Sequence, residues 1–286
     1  VNRLTIATLN LERGEAVELL PELTAQAGAI DLLLMQEGGN WHRDGHRARY
    51  RAEELLAAVG LGRSAMNGDL ARGPLHTLVF WNPGQLRLTG HHDPMWPWVP
   101  PRRAGVAEFE LPSGLLLRAR SVHWPAEDGA PRLEEAKRSA WMADPACLAV
   151  IAGDMNSLWP DCAGHQEYEP DWSRLPPHKR GDKTLAPGLR AGEELVSDRR
   201  ACTALAEAGF ASAGCLAAVM TPTVNRKADQ GEGGRIDHIA VNGPLAACYI
   251  PGSYAVWKSD AGNRASDHRL VSAAYDLDQC PLLPAA

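Results

Sequence analysis

Leu148-Ala149-Val150-Ile151-Ala152-Gly153-Asp154-Met155-Asn156 is an apolar run that stops on a carboxylate and an amide. Its length and its lack of any earlier polar residue suit a strand covered on both faces. Asp154 and Asn156 then stand where the chain leaves the sheet. The same grammar recurs along the sequence. LTIATL (4–9) alternates like a strand and runs into Asn10, and the apolar run Ile30 to Met35 leads to Gln36-Glu37. Leu115 to Val122 runs into His123, and Ser266-Asp267-His268 lies beside a strand expected over Leu270 to Tyr275. Arg235-Ile236-Asp237-His238-Ile239 carries an acid inside a strand.

Helical patterns are interleaved with these strands. Glu15–Ala27, Arg51–Val59, Arg132–Ala143 and Asp198–Ala208 read as helices, the last with Asp198 as its N-cap. His76–Trp81, Gly105–Leu111 and Ser253–Trp257 read as further strands. The mixture makes the fold class α/β or α+β. Pro83–Arg103 and Ser157–Ser197 are long, polar and proline-bearing, and read as rim insertions in one domain spanning 1–286.

The bulk numbers set limits. Apolar residues make up 45% and charged residues 22%, the balance of a soluble globular protein. No apolar run approaches the ~18 residues of a membrane span, so no membrane partner is expected. The N-terminus lacks the series of a signal peptide, which makes a cytoplasmic location the expectation. Six cysteines occur without a C-x-x-C pair, so they read as reduced structural thiols rather than a zinc ribbon. A net charge of −6 argues against a protein living on tight non-specific nucleic-acid binding. Local charge differs: Arg43, Arg47, Arg49 and Arg51 cluster, as do His178, Lys179, Arg180 and Lys183. Flanking a site, either group would attract phosphates.

Strand ends converge on one rim of a sheet, so residues far apart in sequence can meet there. The collected side chains are carboxylates, amides and imidazoles, and hard oxygen ligands of this kind suit Mg²⁺ or Mn²⁺. Each motif alone is weak. Together and in this order, TLN (8–10), QE (36–37), SVH (121–123), GDMN (153–156), RIDHI (235–239) and SDH (266–268) resemble the endonuclease/exonuclease/phosphatase superfamily over nearly the whole chain. The resemblance implies a four-layer α/β sandwich: two packed, mostly antiparallel sheets flanked by helices. It also implies a divalent-metal-dependent phosphoester hydrolase.

Residue roles come with the resemblance. Glu37, Asn10 and Asp267 would serve the metal. Asp154 would orient or deprotonate the attacking water, and Asn156 would hold that water or the phosphoryl oxygens. His268 would donate to the phosphate, Asp237 would fix its tautomer, and His123 would be a second phosphate-binding imidazole. The physics is coherent: a cation offsets charge on the phosphoryl oxygens, a carboxylate accepts a proton from water, and an Asp beside an imidazole favours its charged form.

The substrate is less legible. His123 resembles the deoxyribonuclease, sphingomyelinase and phosphatase branches more than the abasic-site branch. The Ser157–Ser197 stretch mixes aromatic and basic residues, which suits a nucleic-acid strand; Trp159, Arg180 and Lys183 are its substrate-binding candidates. The leading expectation is a nuclease or phosphodiesterase. A phosphatase or phosphodiesterase for a small phosphorylated metabolite is the alternative, and a catalytically silent binding module the minor one. Glu37, Asp154 and His268 are all present, which disfavours the last. His238 should face away from Asp237 and be structural. Core packing is the default for Trp41, Trp124 and Trp159.

Overall fold

A computed structural model describes residues 2–68, 75–93, 103–162, 164–176, 180–185, 195–224 and 234–282. The strands are β1 (Arg3–Asn10), β2 (Leu32–Gly39), β3 (Arg63–Asn67), β4 (Leu75–Trp81), β5 (Arg87–His92), β6 (Val106–Glu110), β7 (Leu116–His123), β8 (Leu148–Asp154), β9 (Phe210–Ser212), β10 (Asp237–Asn242), β11 (Ala255–Trp257) and β12 (Leu270–Asp276). They form two six-stranded sheets, ordered β11-β12-β1-β2-β4-β3 and β5-β6-β7-β8-β10-β9. Only β1–β2 and β7–β8 pair in parallel among these neighbours.

Side chains alternate across a strand, and here the alternation sorts three cores. Leu4 and Ile6 of β1, Leu32 and Leu34 of β2, Leu117 and Ala119 of β7, and Leu148, Val150 and Ala152 of β8 all enter the core between the sheets. The intervening residues Leu33, Met35, Ala149 and Ile151 enter two outer cores. Trp81 and Phe109 meet edge to face inside the sandwich, ring centroids 5.4 Å apart. Burying an aliphatic or aromatic side chain of this size contributes roughly 1.5–3 kcal/mol.

The described helices are α1 (Leu20–Ala25), α2 (Arg47–Ala57), α3 (Gly129–Ser139), α4 (Arg200–Glu207), α5 (Ala213–Ala217), α6 (Gly243–Ala246) and α7 (Asp260–Ala265). Leu20 and Leu23 of α1, Ala52 and Leu56 of α2, and Ala261 and Ala265 of α7 cover the first sheet. Ala136 of α3 and Ala201, Cys202 and Leu205 of α4 cover the second. The expected four-layer α/β sandwich is therefore what the chain forms.

Several local expectations are corrected. The helix expected over 15–27 is a 3₁₀ turn (Val17–Leu19) followed by short α1, where Pro21 occupies the first turn. The fourth expected helix is α4, with Arg199 at its N-cap; Asp198 instead accepts from the Arg200 backbone and guanidinium. The first supposed insertion, 83–103, contains β5, a polar edge strand with a bulge between Leu88 and Gly90 that hides its alternation. Strands β3 and β9 were not expected. Cys162 and Cys215 form a disulfide, Cα atoms 5.8 Å apart; spacing alone does not reveal such a pairing. Cys147, Cys202, Cys248 and Cys280 are buried thiols. His178 and Lys179 lie outside the described residues. No described helix is long and apolar enough to cross a membrane.

Candidate active site

The inward faces of the strands turn polar at one end of the sandwich. In β8 the inward series is Leu148, Val150, Ala152, Asp154; in β7 it is Leu117, Ala119, Ser121, His123; in β10 it runs from Asp237 to Ile239 and Val241. Register then places His123 opposite Asp154, and Asp154 opposite Asp237, in a row across three adjacent strands. The facing sheet ends in Asn10 opposite Gln36. Gln36 Nε2 donates to Ser121 Oγ at 3.0 Å, and Ser121 Oγ donates to the Met35 carbonyl at 2.9 Å, tying the two sheets behind the site.

Glu37 breaks the alternation. After inward Gln36 it should face the helices, but β2 bulges between Met35 and Gly38 and Glu37 adopts φ +59°. The bulge re-aims the side chain. Its Oε1 accepts from Asn10 Nδ2 at 3.0 Å, and its Oε2 from the Arg13 backbone N–H at 2.9 Å. The Glu12–Gly14 turn that supplies this donor presses on β2 so closely that a Cβ on Gly39 would lie 1.9 Å from the Arg13 carbonyl oxygen. Asn156 is likewise left-handed, φ +47°. Left-handed backbone at non-glycine residues is costly and concentrates at functional sites.

Asp154 is the hub. It is buried; Asn10 Nδ2 reaches its Oδ2 at 3.2 Å, and its Oδ1 accepts the Asn156 backbone N–H at 2.9 Å. Its Oδ2 stands 3.6 Å from His123 Nε2 and 3.7 Å from His268 Nε2. His123 Nε2 is also 3.7 Å from Glu37 Oε1, and His268 Nε2 is 3.8 Å from Asp267 Oδ1. All four separations exceed hydrogen-bond reach, so two imidazoles and three carboxylates ring a small gap. Asn156 donates through Nδ2 to the Trp124 carbonyl at 3.0 Å and accepts from Lys183 Nζ at 3.3 Å.

His268 and Asp237 form the buried pair behind this gap. Nδ1 lies 2.9 Å from Asp237 Oδ2 and 3.1 Å from Oδ1, which turns Nε2 toward Asp154. Burial disfavours the imidazolium, but the Asp237 and Asp154 carboxylates outweigh it and push its pKa up to about 10. Burial also pushes the Asp237 carboxyl up, against the pull of His268. With Asp154 as a second anion beside Nε2, the imidazolium–carboxylate form prevails. Ser266 Oγ fixes the loop, donating to the Asn10 carbonyl at 2.6 Å and accepting the His268 N–H at 2.9 Å. Thr223 Oγ1 accepts the Asp237 N–H at 3.0 Å.

The structure thus brings together Asn10, Glu37, His123, Asp154, Asn156, Asp237, Asp267, His268 and Lys183. It does not bring Trp159 or Arg180 to them. Trp159 is buried, its ring 5.4 Å from that of His238, so it packs instead of stacking on a ligand. Arg180 donates to the carbonyls of Leu175 at 2.8 Å and Ser173 at 2.7 Å, which folds its guanidinium back onto its own loop. Trp41 and Trp124 are core residues, and buried His238 has its pKa driven well down by burial and by Arg235. Arg13 and Thr223 were missed, and Gln36 and Ser266, quoted in the QE and SDH motifs, were given no role there; for Arg13 the sequence signal was the Gly38-Gly39 pair after Glu37, which invites close backbone approach.

The donor chemistry fits a hard divalent cation at Glu37 and Asp267, whose carboxylates are oxygen donors lining a cleft mouth. Asn10 does not join them as a ligand, because its Nδ2 faces Glu37 and Asp154 and its Oδ1 accepts the Glu12 backbone N–H at 3.0 Å. Among the described residues no three His, Cys, Asp or Glu side chains are spaced to hold an ion by themselves. The fit is therefore one of ligand type.

No protein-family model matches the chain, and no curated protein matches it in sequence. Solved structures do match in shape. An AP endonuclease from Archaeoglobus fulgidus superposes with a TM-score of 0.61 at 16% identity, over 96% of this chain and 99% of that one. An endonuclease/exonuclease/phosphatase from Beutenbergia cavernae gives 0.59 at 16% identity, over 96% and 71%. A 3′-5′ exonuclease from Neisseria meningitidis gives 0.58 at 16% identity, over 96% and 100%. The chain has the fold of the endonuclease/exonuclease/phosphatase structures.

Proposed function

We propose that the protein is a divalent-metal-dependent phosphoester hydrolase, and within that class a nuclease or phosphodiesterase. The observation that carries the reading is the ring of His123, His268, Asp154, Glu37 and Asp267 around a gap too wide for direct hydrogen bonds. Two imidazoles match the oxygens of an anionic phosphoryl group, and the carboxylates match a cation and an attacking water.

Glu37, oriented by Asn10 Nδ2, and Asp267 would hold Mg²⁺ or Mn²⁺, which when bound supplies charge neutralisation for the phosphoryl oxygens. Asp154, oriented by Asn10 and by the Asn156 backbone, accepts the proton of the attacking water. His268, kept protonated by Asp237, presents Nε2–H to a phosphoryl oxygen whose charge grows in the transition state. His123 faces the same oxygens from β7. Lys183 adds a cation beside Asn156. Nucleic acid is favoured as substrate because similar structures include a 3′ phosphatase from Neisseria bound to a product DNA hairpin. A small phosphorylated metabolite remains the second reading, supported by the net charge of −6.

The test is hydrolysis of single- and double-stranded DNA and RNA, and of phosphomonoesters and small diesters, with EDTA, Mg²⁺ or Mn²⁺. Asp154→Ala is the control. Metal-dependent cleavage of polymers lost in Asp154→Ala is the expected result. Turnover confined to small esters selects the second reading, and turnover of neither class refutes both.

A further inference from the structure

A cleft of about 850 Å³ opens at Glu37, His123 and Asp267 and runs away from them between the sheets and α3. It arises from a register. β6 meets β7 only from Val106, opposite Arg120, so no described strand flanks Ser121–His123 on that side. The middle of the cleft is polar but self-satisfied: Asn67 Nδ2 donates to Thr77 Oγ1 at 3.0 Å and lies 3.4 Å from the Gly105 carbonyl. Charge gathers at the far end. There Arg120, with side chain 10% exposed, donates to Ser139 Oγ at 2.6 Å and to Glu135 Oε2 at 3.3 Å. Arg138, 54% exposed, lies 3.7 Å from the other oxygen of Glu135. Both guanidinium groups thus contact the Glu135 carboxylate.

We infer that this far end is a binding subsite for a second, non-scissile phosphate of the substrate. Arg120 is the fixed charge, its planar head held by Ser139 and Glu135 and poorly screened because it is buried. Arg138 is the swinging ligand; it can leave its loose contact with Glu135 and close on a phosphate as a two-pronged donor. The spacing defines the substrate. Arg120 precedes His123 by three residues, about 10 Å along the strand. The two side chains leave opposite faces, His123 into the gap between the sheets and Arg120 toward α3, so the path between them rounds the unpaired edge of β7 and is no shorter than that span. A simple monoester cannot bridge it. An oligonucleotide can, with one nucleoside lying over the neutral middle of the cleft. The inference rests on the phosphoesterase reading for the position of the reacting phosphate.

Calorimetry on the Asp154→Ala protein with Mg²⁺ separates the two ideas, because it reads binding without turnover. The probes are the thymidine dinucleotide TpT and its terminally phosphorylated forms pTpT and TpTp. One phosphorylated form should bind about tenfold more tightly than TpT, as expected for a charge-assisted pair at a partly exposed site. Adding Arg138→Ala should remove most of that gain, Arg138→Lys should keep part of it, and added salt should shrink it. Equal affinity for all three probes, no detectable binding of any, or a gain that survives Arg138→Ala overturns the subsite. A subsite that binds as expected in a protein whose wild type turns over neither polymers nor small esters with Mg²⁺ or Mn²⁺ keeps this inference and overturns the hydrolase reading.

Discussion

Replacing Asp237 by Asn tests the electrostatic logic of the site most directly. The carboxylate lies 2.9 Å from His268 Nδ1. At an effective dielectric constant near 20, a unit charge at that distance contributes about 6 kcal/mol, or about four pH units of imidazole pKa. The wild-type imidazole sits at about 10 because of Asp237 and Asp154 against burial. Asp237→Asn should therefore bring it to roughly 6. Titration of the histidine side-chain nitrogens by NMR, in chelated protein, reads both values. With the proton lost, Nε2 no longer donates, so the rate at pH 8 should fall about 100-fold, within the range of general-acid contributions. Stability has a matching signature. His268 binds its proton more tightly folded than unfolded, so its contribution is complete below the unfolded value of 6.5 and is lost as pH rises through about 10. Asp237→Asn should flatten that alkaline decline. A wild-type His268 titrating near 6.5, or an Asp237→Asn imidazole still charged at pH 8, refutes the reasoning.

Four further outcomes are expected. Glu37→Gln should raise the Mg²⁺ concentration for half-maximal activity at least tenfold, since it removes a carboxylate ligand; an unchanged metal titration excludes Glu37 as a ligand. Gly39→Ala should lower activity far more than melting temperature, because its Cβ displaces the Arg13 carbonyl and with it the donor to Glu37; wild-type kinetics would show that the turn does not position Glu37. Glu167→Ala should destabilise the fold by about 3–5 kcal/mol in urea unfolding, as it leaves fully buried Arg235 without its carboxylate; a loss under 1 kcal/mol would contradict the pairing. Reduction of Cys162–Cys215, which closes 53 residues, should cost up to about 4 kcal/mol in the same assay; identical curves with and without reductant would show that the bond is absent or inert.

What could be read in the sequence follows from the strand repeat. Once LAVIAGD is a strand, the period of two puts Asp154 on the face of Leu148, Val150 and Ala152, and the same parity carries His123 and Asp237 into the gap between the sheets. Register needs no special residue to align these three, because β7, β8 and β10 are neighbours. Loop residues had no such rule. Trp159 and Arg180 have the composition of a ligand-binding rim, but local forces decide their fates: His238 offers Trp159 a ring to pack on, and two carbonyls of its own loop satisfy Arg180. Lys183, three residues further on, reaches Asn156 only because its loop folds back toward the site.

Glu37 shows where parity fails and what replaces it. Regular β geometry would point its carboxylate at the helices covering the first sheet, away from Asp154. The chain instead accepts a bulge and a left-handed residue, at a cost of order 1–3 kcal/mol, and stabilises that conformation with two donors, one from Asn10 and one from the Arg13 backbone. Asn10 links Glu37 to Asp154, so moving Glu37 would also release the hub. The glycines on both sides of this contact make it possible: Gly14 at φ +69° and Gly39 beneath the Arg13 carbonyl leave no room for a side chain. The strain at Glu37 is thus local to the one carboxylate that regular pleating cannot aim, and its neighbours hold the position that a cation would require.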